Sequence, residues 1–156
     1  MKTDRGKLRT PQRTDLSRQP RKLRGAACCP GCGAVYRGGR WRWEELPAGA
    51  RADTCPACRL IREKAPVASV TLRGEFLAAH RDEILARVRA CERAASRTHP
   101  LKRIIAVTPA GREVRITTTD AHLARRIGDA LRRAYKGELR YRYQKGEALL
   151  RVSWRR

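Results

Sequence analysis

The chain has 156 residues, 37 of them Lys or Arg and 15 Asp or Glu, so its formal net charge is +22 and its pI lies near 11.3. That length holds one compact domain, or one domain plus a small module, and 41% hydrophobic residues argue against a wholly disordered chain. The charge calls for a polyanionic partner, while no run approaches the ~18 apolar residues of a membrane span.

Residues 1–26 come first. They carry nine basic side chains, among them Arg9, Arg13, Arg18, Arg21, Lys22 and Arg24, against Asp4 and Asp15. Pro11 and Pro20 interrupt any helix and no apolar periodicity is present. Such a segment cannot offset its ordering entropy and is expected to be a disordered arm that orders on RNA. Leu8, Leu16 and Leu23 stand alone among charges, so the segment is not a secretory signal.

Residues 27–62 read as a zinc ribbon. Cys29-Pro30-Gly31-Cys32-Gly33 and Cys55-Pro56-Ala57-Cys58-Arg59 are two C-x-x-C knuckles. Each turn aims two sulfurs at one point, and two turns supply the four thiolates of a closed tetrahedral site. A closed site leaves no position for a reacting water, so the zinc is expected to be structural; iron fits the same knuckles. Paired cysteines without an export signal point to a reducing cytoplasm rather than to disulfides. Cys28 and Cys91 are read as bystanders, the latter as a small buried hydrophobe. Between the knuckles, Arg40-Trp41-Arg42-Trp43 alternates with period two and predicts a short strand. Tyr36, Arg37, Arg40, Trp41 and Arg42 are candidate nucleic-acid contacts, the arginines for phosphates and the rings for unstacked bases. The competing reading of the tryptophans is a mini-core, with one ring packed inward.

Residues 66–156 carry the main core. A strand over Val67–Leu72 leads to a helix from about Glu75 to Arg97, with Phe76, Leu77, His80, Ile84, Leu85, Val88, Cys91 and Ala95 on its apolar stripe. A hairpin of Leu101–Val107 and Glu113–Thr118 is expected to turn at Thr108-Pro109-Ala110-Gly111. Thr119 or Asp120 caps a second helix that runs to about Lys136, with Gly137 just beyond. Two strands, Glu138–Tyr143 and Ala148–Trp154, close the domain around a turn at Lys145-Gly146. In the first of them Leu139, Tyr141 and Tyr143 face one way, and Arg140 and Arg142, further candidate contacts, face the other. The fold class is therefore α+β: a basic arm, a four-Cys ribbon, and a split β-α-β-β-α-β-like unit with one extra strand, read as an antiparallel sheet with both helices on one face.

No catalytic arrangement is visible. His80, Asp82 and Glu83 share a helix but not a face, and no phosphate loop, nucleophile elbow or carboxylate pair is present. Neither an enzymatic activity nor a small-molecule substrate is expected.

Several strings resemble a small proteobacterial zinc-ribbon family associated with low-oxygen gene sets. They are the two knuckles, T-L-R-G-E-F-L-A-A-H-R-D-E-I at 71–84, T-T-T-D-A-H-L-A-R-R-I-G-D-A-L at 117–131, Y-K-G-E-L at 135–139 and L-R-V-S-W-R-R at 150–156. More distantly, the layout is similar to the ribbon part of the large-subunit export adaptor of archaea and eukaryotes, the nonsense-mediated-decay protein three family. That adaptor has more Cys pairs than the single four-Cys set here; what the likeness implies is ribosome binding. The expected function is a non-enzymatic RNA-binding protein that docks on the ribosome or ribosomal RNA, as a stress, hibernation or assembly factor. Two other classes compete, a DNA-binding regulator and a protein-interaction adaptor. No segment reads as a recognition helix with its preceding turn, which weighs against the regulator.

Overall fold

A computed structural model describes residues 25–143 and 149–156. The expected arm, with Arg9, Arg13, Arg18, Arg21, Lys22 and Arg24, lies outside the described residues, and so does the expected turn at Lys145-Gly146.

The first sheet is built from very short strands: β1 (Ala27–Cys28), β2 (Val35–Arg37), β3 (Arg40–Arg42) and β4 (Arg51–Ala52). Their order is β3-β2-β1-β4, with β4 parallel to β1 and the other pairs antiparallel. Helix α1 (Pro56–Glu63) follows, opened by Cys55 at its N-cap and by Pro56, whose missing N–H costs nothing in a first turn. Ala27, Cys29, Ala34, Tyr36, Trp41, Cys55 and Ala57 form a small core of their own.

The second sheet contains β5 (Ala68–Arg73), β6 (Ile104–Ala110), β7 (Glu113–Thr118), β8 (Glu138–Tyr143) and β9 (Leu150–Arg155) in the order β6-β7-β5-β9-β8. Helices α2 (Glu75–Ala79), α3 (Arg81–Ser96) and α4 (Ala121–Tyr135) complete the domain. Ala68, Val70 and Leu72 of β5, Val114 and Ile116 of β7, and Leu150, Val152 and Trp154 of β9 meet Ile84 and Val88 of α3 and Leu123, Ile127 and Leu131 of α4 in one core. Those strand residues alternate, so a single face of the sheet is covered and the other stays open.

The fold departs from expectation in four places. The long helix breaks at His80, whose backbone (φ −126°, ψ 28°) ends α2 and starts α3. His80 is consequently exposed rather than on the apolar stripe; it stacks on Phe76 and sets Nδ1 3.5 Å from Glu83. The hairpin turns at Gly111-Arg112, not at 108–111, and β6 runs through Pro109. A proline is tolerated because β6 is an edge strand and owes no N–H on its outer side, and Gly111 supplies the positive φ of 65°. The sheet is mixed, not antiparallel, since β9 inserts between β5 and β8 and runs parallel to β5. The more apolar closing strand thereby takes the interior position and the Arg/Tyr-rich one takes the edge. Finally, α1 and the two-residue strands β1 and β4 were not foreseen. Among the described residues no helix is long and apolar enough to cross a membrane.

Candidate metal centre and its basic surroundings

Backbone geometry builds each knuckle. In the first, Gly33 N–H donates to the Cys29 carbonyl and Cys29 N–H to the Ala34 carbonyl, both at 2.8 Å, closing the loop around Cys29 and Cys32. Gly31 is needed for space: a Cβ there would stand 3.1 Å from Cys58 Sγ. In the second, the sulfur of Cys55 accepts from Cys58 N–H at 3.3 Å at the mouth of α1. The sulfur of Cys29 accepts from Cys55 N–H, also at 3.3 Å, and so joins the two knuckles.

The four sulfurs of Cys29, Cys32, Cys55 and Cys58 lie within 4.8 Å of one another. Cys32 Sγ and Cys55 Sγ are 3.7 Å apart, and a tetrahedral ion bonded at about 2.3 Å sets sulfurs about 3.8 Å apart. The donor set and its size thus fit a structural metal ion. Electrostatics agree. Burial, which penalises the thiolate, pushes the Cys55 and Cys58 thiols up, and the neighbouring Cys32 adds to the shift. Cys29 is different: burial raises its thiol, but backbone N–H groups of Cys55, Cys32 and Gly31 outweigh burial and lower it to about 7. Cys28 and Cys91 stand outside the cluster, and burial keeps the Cys91 thiol above its ordinary value.

A cation reaches the cluster from the loop that leads into β6. Arg103 extends Nη1 to 4.0 Å from Cys58 Sγ, while Leu101 packs on the ribbon core. Both sit in the loop after α3. Thr119 pins that loop: its hydroxyl donates to the Leu101 carbonyl at 2.6 Å and accepts from Arg103 N–H at 2.9 Å. A further tether runs from Trp43 Nε1, which donates to the Ser96 carbonyl at 2.5 Å. Sequence spacing carries no signal for Arg103, which lies 45 positions from Cys58.

The other candidate residues divide. Arg37 and Arg40 pair across β2 and β3, and Arg42 lies on the same face two residues on; all three are exposed. Tyr36 and Trp41 are not exposed base platforms: at 5% and 8% accessibility, with ring centroids 5.4 Å apart, they are the mini-core. A module this small buries few other large apolar side chains, Val35 and Leu60 among them, so its two inward rings supply most of its core. Trp43 is the outward ring, at 43%. Arg140 and Arg142 belong to the other sheet, on its open face, in cross-strand register with Ser153 and Arg151. Arg140 is held by Glu138, its Nε donating at 2.7 Å.

Comparison with protein-family models, with curated proteins and with solved structures finds no match.

Proposed function

We propose that the chain is a non-enzymatic, zinc-containing RNA-binding protein that docks on ribosomal RNA. One observation carries the reading: Arg37, Arg40 and Arg42 are exposed on paired strands whose inner residues Tyr36 and Trp41 share a core with Cys29 and Cys55 of the four-thiolate centre. Guanidinium groups on a rigid frame meet phosphates without first losing much freedom, and they do so in fork geometry. The open face of the second sheet adds a second basic surface. There Arg140, Ser153, Thr71 and Arg115 lie in one cross-strand row, next to Arg142 and Arg151. Zinc is the expected ion because a closed, buried thiolate set suits a metal whose role is to hold the chain together. The low-oxygen resemblance extends the proposal to a stress or hibernation role in resting cells.

Sedimentation of the tagged protein through sucrose gradients tests this, in native lysates of growing and oxygen-starved cells, with and without nuclease and at stepped salt. The protein is expected to travel with a ribosomal particle and to leave it as salt rises. A protein that stays at the top under every condition refutes ribosome docking. Elemental analysis of the purified chain is expected to find one zinc; stoichiometric iron would reassign the centre.

A further inference from the structure

Helices α3 and α4 enclose a groove of about 500 Å³ to which the ribbon contributes no lining residue. Arg87, Arg125, Arg126 and Arg133 line it over a floor that includes Cys91 and Ala130. Its one carboxylate, Asp129, is engaged by the Tyr141 hydroxyl at 2.5 Å. A smaller groove shares Asp129 and Arg133 and prolongs the basic track to Lys136. At one margin stand two exposed rings, Tyr141 at 40% and Tyr143 at 59% accessibility, on the edge strand β8. Arg125 joins rings to groove: its guanidinium lies 5.4 Å and 5.7 Å from their centroids and donates to the Tyr143 hydroxyl at 2.6 Å.

We infer that this groove, with Tyr141 and Tyr143, is a binding site for single-stranded RNA. The arginines follow the phosphates, small floor residues let the backbone settle between the helices, and unpaired bases stack on the two rings. A positive track beside exposed aromatics is the combination that single strands require, since each base offers a free π-face. A duplex hides those faces and leaves the rings without a partner. The inference rests on the RNA-binding reading but moves a specific contact from the ribbon to the α+β domain. It also uses the face of β8 opposite to Arg140 and Arg142.

The test is fluorescence anisotropy of the zinc-loaded full chain with labelled oligouridylate and with a GC-rich hairpin. Four variants are compared, each at exposed positions and each checked for native circular dichroism: R126E/R133E, Tyr143→Leu, Tyr143→Phe and R37E/R40E/R42E. R126E/R133E is expected to weaken oligouridylate binding about tenfold or more. Tyr143→Leu is expected to weaken it about fivefold or more with little effect on the hairpin, and Tyr143→Phe, which keeps the ring, to bind within about twofold of the parent. Groove variants that bind oligouridylate like the parent, while R37E/R40E/R42E loses it, would overturn the inference and leave the RNA reading standing. Equal losses on hairpin and single strand, or displacement of oligouridylate by polyglutamate as readily as by unlabelled RNA, would show a general anion surface and also overturn it. A parent chain that binds neither RNA would remove both readings together.

Discussion

Arg103 is a single side chain that joins two folding units chemically. A four-thiolate centre around a divalent ion carries net negative charge, and a guanidinium 4.0 Å from Cys58 Sγ offsets part of it. Arg103→Glu places a like charge there instead. Zinc affinity is expected to fall by about 10–100-fold, as for other partners just outside a metal's ligands; competition with a chromogenic chelator measures it, and unchanged affinity would deny Arg103 this role. Thr119 acts one step further back. Thr119→Val keeps the shape but leaves Arg103 N–H and the Leu101 carbonyl without that partner in a half-buried loop. A loss of about 1–3 kcal/mol is expected in urea unfolding.

At the scale of elements, the ribbon and the α+β domain differ in what holds them. The ribbon's strands have two or three residues each, and its core is one cluster of seven residues, of which only Tyr36 and Trp41 are large. Such a core cannot outweigh chain entropy without the metal. Chelation is expected to abolish ribbon structure while the second sheet persists. Trp41 emission should shift to the red, and amides of β5 and β9 should keep their slow hydrogen exchange. Loss of both together would show that the two units fold as one. The same contrast explains what could be read from sequence. The N-cap was legible to within one residue, Thr119 or Asp120, because caps and helical stripes are local signals; it is Asp120, accepting from Leu123 N–H at 2.8 Å. The four-cysteine set was legible because its spacing is chemistry. Strands β1 and β4 were not, because two residues show no period. Nor was the break at His80, where neither glycine nor proline marks it, and Pro109 misled because its tolerance depends on an edge position known only from the whole sheet.

At the scale of the molecule, basic surface is distributed rather than gathered. Arg37, Arg40 and Arg42 lie on the ribbon, Arg140 and Arg142 on the open sheet face, and Arg126 and Arg133 in the groove between α3 and α4. Polyelectrolyte theory turns this into a measurement, because each phosphate engaged adds about 0.7–0.9 to the salt dependence of binding. R37E/R40E/R42E is expected to lower the slope of log K against log salt by about 2–3 on ribosomal RNA fragments. An unchanged slope would mean that the ribbon arginines meet no phosphate.

The place of β9 has a consequence for how the protein is made. This strand pairs with β5 across an interval of about 80 residues, so the pairing is distinctly non-local. Until residues 150–155 emerge, β8 has no neighbour and Val70 and Leu72 lack Val152 and Trp154 beside them. A chain halted after β8 but before β9 therefore presents two unjoined sheet edges, on β5 and β8, a template for misassociation. The domain closes only after nearly all of its sequence has been translated.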